Sequence, residues 1–98
     1  YEYEYYEGEL TISKIINRKS RKIIGRFDID KISKVSKPDN ADKSIKIINA
    51  CLKKISNNNN KELIIFVGGN EPVGYYLSID EKLFEILKRK KPSIFNYI

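Results

Sequence analysis

The stretch Ser78-Ile79-Asp80-Glu81-Lys82-Leu83-Phe84-Glu85-Ile86-Leu87-Lys88-Arg89-Lys90-Lys91-Pro92 decides how this chain folds. Asp80 suits an N-cap, because its carboxylate can accept from the free backbone N–H groups of a first helical turn. Ile79 and Phe84 then occupy the two positions of a hydrophobic staple. Leu83, Phe84, Ile86 and Leu87 share one stripe at helical spacing. Lys88, Arg89, Lys90 and Lys91 crowd the last turn, where positive charge complements the macrodipole. Pro92 cannot continue the ladder and disfavours helix at Lys91. The spacing predicts a helix over 81–91. Burying its four apolar side chains contributes about 6–12 kcal/mol as an upper bound. So short a helix is marginal alone in water and needs a partner surface.

The residues upstream supply strands. Tyr1, Tyr3 and Tyr5 alternate with Glu2 and Glu4 at period 2, in β-favouring chemistry. Glu7-Gly8 signals a turn. Residues 9–16 read as a strand whose phase slips at the adjacent Ile15 and Ile16, as a bulge near Ser13-Lys14 would produce. Asn17-Arg18-Lys19-Ser20 is a polar tip, so 9–16 and 21–28 should pair as a hairpin. Gly25 marks a bend or a close backbone approach. A short turn between Asp28 and Ile32 leads to a strand over 32–36 and a polar loop over 38–43. Residues 44–52 read as a strand. A helix over 42–55 is the rival, since Ile45, Ile48, Leu52 and Ile55 also match helical spacing. After a polar loop at 57–60, residues 62–68 and 72–79 form a second hairpin through Gly69-Asn70-Glu71. Its first arm is apolar enough to be buried on both faces.

The count is seven strands and one C-terminal helix, and the expected fold is mainly β. A strongly bent antiparallel sheet, or partly open barrel, is stoppered by the helix. That order of elements is similar to the pleckstrin-homology-like superfold. A narrower resemblance is carried by Tyr3-Glu4-Tyr5, Gly8-Glu9-Leu10-Thr11-Ile12, Lys14-Ile15-Ile16, the tip from Asn17 to Lys22, Phe27-Asp28, and Asp80-Glu81-Lys82-Leu83 with Leu87-Lys88 and Pro92-Ser93. In these the chain resembles a family of small uncharacterised bacterial membrane proteins, found mainly in Gram-positive anaerobes. The resemblance covers most of the chain and is weakest over 38–61. It implies a membrane anchor before Tyr1 and a domain facing the cytoplasm.

Composition bounds the chemistry. The 98 residues make one small domain, and 41% hydrophobic content can bury a modest core. The longest apolar run, Leu63-Ile64-Ile65-Phe66-Val67, is far too short to span a bilayer. No signal-peptide pattern is present. Cys51 is the single cysteine, so no intrachain disulfide forms, and a reducing compartment fits. There is no His, which removes the commonest general base and every Ser-His or Cys-His pair. There is also no Met, although a reading frame begins with one. The chain is therefore expected to be a piece of a longer protein.

The net charge of +6 is unevenly spread. Glu2, Glu4, Glu7 and Glu9 are the only charges among the first nine residues, whereas Lys14, Arg18, Lys19, Arg21, Lys22 and Arg26 follow with no acid between them. These six are the candidate anionic-surface site. Lys14, Lys19 and Arg21 also fit the loose basic pattern of lipid-binding pleckstrin-homology domains, whose cations grip phosphates through charge-assisted hydrogen bonds. A solvated hairpin that keeps the domain soluble, or sets membrane topology, is the plainer account. Lys88 to Lys91 answer the helix dipole. Gly68-Gly69-Asn70 has no Lys-Ser/Thr after it and is a turn, not a phosphate loop. Asp28 and Asp30 suit a turn better than a paired-carboxylate site. The tyrosines can stack bases, but packing across strands fits their acidic neighbours better.

The expectation is thus a non-enzymatic binding or scaffolding domain on the cytoplasmic side of a membrane protein. It needs no cofactor or metal, and its partner is another protein or an anionic membrane surface. An edge strand near Asn49 to Leu52 offers self-association. The alternative is nucleic-acid binding through Arg18, Lys19, Arg21 and Lys22, which steep salt dependence would reveal.

Overall fold

A computed structural model describes residues 1–38, 44–51, 60–68 and 71–95. In chain order the strands are β1 (Glu2–Tyr6), β2 (Glu9–Ile16), β3 (Ser20–Asp28), β4 (Ile32–Ser36), β5 (Lys46–Asn49), β6 (Lys61–Val67) and β7 (Val73–Ile79). Helices α1 (Glu81–Lys90) and α2 (Pro92–Phe95) follow, and a 3-10 turn at Ile29–Lys31 joins β3 to β4.

The expected single seven-stranded sheet is corrected to two: β1-β2-β3, and β4-β6-β7-β5. The ladder breaks at the 3-10 turn. Asp28 caps that turn by accepting from the Asp30 N–H at 2.8 Å, and the Ile29 N–H donates to the Gly8 carbonyl at 2.9 Å. Ile29 is thereby driven into the core, and β4 starts in a new layer. The antiparallel expectation is also corrected at one strand, since β5 runs parallel to β7. Of the expected strand over 44–52, the described residues 44–51 hold a strand at Lys46–Asn49. The Ala50 N–H still donates to the Tyr76 carbonyl of β7 at 2.9 Å; beyond it the Asn49 side chain accepts from the Cys51 N–H at 3.2 Å, a local turn that leaves Ala50 and Cys51 buried. The rival helix is excluded over its described part, where Lys46–Asn49 is a strand; its two ends at 42–43 and 52–55, the 57–60 loop before Asn60, most of the 38–43 loop, and Gly69-Asn70 lie outside the described residues.

Local chemistry sets the other elements as expected. Glu7 and Gly8 both have positive φ, 48° and 83°, the backbone of a two-residue type I′ hairpin turn. The β2–β3 ladder does contain a bulge. Ile12 faces Gly25 and Ser13 faces Ile23, so the extra residue is Ile24 on β3, not Ser13 or Lys14 on β2. Four consecutive β6 residues, Leu63, Ile64, Ile65 and Phe66, are buried, so this central strand is covered on both faces. No helix among the described residues is long and apolar enough to cross a membrane.

Both sheets and both helices meet around one core of Leu10, Ile12, Ile32, Leu63, Ile65, Leu77, Ile79, Phe84, Leu87 and Phe95. Asp80 caps α1, accepting from the Leu83 N–H at 2.7 Å. Phe84 and Leu87 are fully buried, and Leu83 and Ile86 half-buried. Helix α2 was not expected. Pro92 ends α1 and also opens α2, where its missing N–H costs nothing. That short turn carries Phe95 to the core, edge-on to Phe84 with 6.2 Å between ring centroids.

The two sheets touch where Tyr75 of β7 stacks on Phe27 of β3 at 5.4 Å between centroids. Gly25 makes room for that ring: a Cβ there would stand 2.9 Å from Tyr75 Cε1. Gly25→Val, though favourable for a strand in isolation, should cost about 1–3 kcal/mol by overpacking. An unchanged thermal melt would mean that Tyr75 does not hold the sheets together.

Candidate functional site

The alternation that buries Leu10 and Ile12 ends at Ser13 of β2, and every residue from Lys14 to Ile23 is exposed. The reason is register. β1 pairs with β2 only as far as Glu2 opposite Ser13, so beyond it β2 and β3 continue as a two-stranded ribbon. Within the ribbon Lys14 stands opposite Lys22, Ile15 opposite Arg21 and Ile16 opposite Ser20. Like charges directly opposite each other weaken strand pairing. An anion laid across them relieves that repulsion.

At the tip, Asn17 and Arg18 both take left-handed backbone, with φ of 54° and 62°. Asparagine tolerates this conformation, whereas in arginine it costs roughly 1–2 kcal/mol. Arg21 Nη1 lies 3.2 Å from Glu2 Oε1, and Arg26 Nε lies 3.4 Å from Glu9 Oε1. Exposed pairs of this kind contribute about 0–1 kcal/mol each. Arg26 faces Thr11 in the three-stranded body of the sheet, so it stands apart from the tip. The structure thus gathers Lys14, Arg18, Lys19, Arg21 and Lys22. Among the described residues, Lys14, Arg18, Lys19 and Lys22 have no carboxylate within ion-pair distance.

An apolar component went unread in the sequence. Ile15, Ile16 and Ile23 are 46%, 38% and 49% exposed, in the midst of these cations. The break in period at Ile15-Ile16 was the available signal. Ile15, Arg18, Lys19, Ser20 and Arg21 line a concavity of about 530 Å³.

The tyrosine row turns the other way. Tyr1, Tyr3 and Tyr5 pack against the core, so they form no base-stacking platform beside the tip. Tyr3 ties the sheets together: its hydroxyl donates to the Ala50 carbonyl at 2.5 Å and accepts from the Ser78 N–H at 3.2 Å. Burial pushes its pKa up to about 12 from an ordinary 10.0, against the opposing donation from Ser78. The folded state therefore holds this proton more tightly than the unfolded chain. That stabilisation is complete below pH 10 and is lost as the pH rises through 12. Tyr3→Phe should lower neutral-pH stability by about 1–3 kcal/mol, because two part-buried backbone groups lose their partner. It should also flatten the alkaline decline in a urea-melt series. A variant that declines as steeply as the parent would show that Tyr3 does not cause that decline.

The remaining candidates are structural. Asp28 caps the 3-10 turn, and Asp30 lies 3.7 Å from the Lys91 ammonium at the end of α1. Asp39 and Asp42 lie outside the described residues. Among the described residues strand β5 is an edge of its sheet, but of the expected self-association edge at Asn49 to Leu52 only Asn49 belongs to it: Ala50 and Cys51 are buried, and Leu52 lies outside the described residues. Among the described residues, no three His, Cys, Asp or Glu side chains converge as a metal site.

The model of one family, described as a bacterial PH-like domain (DUF6106), matches residues 1–96. No curated protein and no solved structure matches the chain.

Proposed function

The chain belongs to this family of bacterial PH-like domains, and from that premise we propose that it is a non-catalytic binding or scaffolding domain whose β2–β3 hairpin docks on an anionic membrane surface. The wider proposal places it at the cytoplasmic face of a bacterial membrane, as part of an anchored protein. One observation carries the reading: five cations gather on an exposed ribbon, and four of them have no carboxylate partner among the described residues. An anionic leaflet attracts such residues by about 1 kcal/mol each. Binding is preferred to catalysis because a chain without His lacks the side chain best suited to proton transfer near neutral pH. The fold itself assigns no ligand.

Co-sedimentation tests this reading. The wild-type chain is offered phosphatidylcholine vesicles, vesicles that also contain phosphatidylglycerol, and duplex DNA. Sedimentation with the phosphatidylglycerol vesicles alone is the expected result. Binding to DNA alone, steeply weakened by salt, would move the hairpin to nucleic-acid recognition. Binding to none of them would end the proposal.

A further inference from the structure

Resting on that reading, we propose that the hairpin tip inserts into the anionic bilayer. Ile15, Ile16 and Ile23 enter the boundary between headgroups and acyl chains, while the cations around them hold lipid phosphates. Single exposed apolar side chains are ordinary on a protein surface. Here three of the four large hydrophobic residues exposed among the described residues share one hairpin tip. Tyr6, the fourth, lies at the far end of the sheet, opposite Glu9.

The ladder shows how they are arranged. Ser13 faces Ile23 and Ile15 faces Arg21, so Ile15 and Ile23 are diagonal neighbours on one face. Lys14, Lys22 and Ile16 belong to the opposite face. Each face of the ribbon therefore combines apolar and cationic groups. A nucleic acid offers phosphates without an apolar phase. A bilayer offers both at the right separation, because long Lys and Arg side chains can reach back to the phosphates while their stems lie in the apolar layer.

Depth agrees as well. The ribbon extends past the reach of β1 by three residues per strand, 14–16 and 20–22. That is about 10 Å of strand, close to the roughly 5–10 Å that interfacial segments penetrate. Among the described residues no strand pairs with the outer edges of the ribbon, which restricts it to the hydrated headgroup region. The left-handed Arg18 fits the same role, since a strained cation at the very tip is costly for folding alone.

The chain has no Trp, so Ile23→Trp places a single emission reporter at a position that is already half exposed. Ile15→Trp repeats the measurement on the other strand. On phosphatidylglycerol vesicles both should shift to shorter wavelength and be quenched by brominated acyl chains. Neither should respond to phosphatidylcholine vesicles or to heparin. Ile15→Ser combined with Ile23→Ser should weaken vesicle binding about 10–100-fold. Wild-type binding to these vesicles, with unshifted Trp variants and no loss in the Ser variant, would overturn insertion and leave surface docking standing. No wild-type binding would remove both. A blue shift that grows with protein concentration in the absence of lipid would overturn insertion by showing that the isoleucines meet a second copy.

Discussion

Replacing Phe84 by Ala is expected to lower the stability of this domain by about 3–5 kcal/mol. Phe84 is 3% exposed and lies where three elements meet. Ile79, its staple partner, is completely buried at the end of β7. Phe95 of α2 meets its ring edge-on. The Lys61 ammonium of β6 stands 4.9 Å from the ring centroid. Truncation forfeits the contacts with Phe95 and Lys61 and opens a cavity in the core that Ile79 shares. A domain of this size has only about 5–15 kcal/mol in total, so the melting temperature should fall by more than about 10 °C. Leu83→Ala, at a half-buried position on the same helix, should cost clearly less. Equal losses in the two variants, or a negligible loss in Phe84→Ala, would mean that α1 does not dock as described.

The second large effect is expected at the hairpin and concerns binding, not folding. Changing Arg18, Lys19, Arg21 and Lys22 together to Gln removes four cations that each contribute about 1 kcal/mol at an anionic leaflet. Affinity for phosphatidylglycerol vesicles should then fall about a thousandfold. Stability should stay within about 1 kcal/mol of the parent, because the change removes one exposed ion pair and also the repulsion between Lys14 and Lys22. Vesicle binding that survived this variant would move the contact elsewhere, with Lys88, Arg89 and Lys90 at the end of α1 as the next cations to test.

Much of the local structure was readable residue by residue. The Asp80 cap, the turn at Glu7-Gly8 and the doubly buried β6 strand follow from chemistry within a few residues of each position. The basic cluster was equally plain, because charge is a property of composition. Its apolar part was not. Whether Ile15, Ile16 and Ile23 reach solvent depends on where β1 stops pairing, and that register is set at Glu2 and Ser13. The bulge was legible as a slip of phase, but its assignment to Ile24 depends on how β3 lines up with β2. Pro92 was read as a stop and is also a start, a distinction that depends on Phe95 finding space beside Phe84.

The amino-acid order alone settled a predominantly β chain, its turns, the C-terminal amphipathic helix and a cationic tip without histidine chemistry. These are short-range properties, governed by backbone preference, side-chain period and charge. Only the packed molecule decided that the strands divide into two sheets, that β5 runs parallel to β7, and that Tyr3 joins the two layers through Ala50 and Ser78. Those partners lie 47 and 75 residues along the chain from Tyr3. Contacts at such separations arise from the burial of a shared core, and no local pattern encodes them.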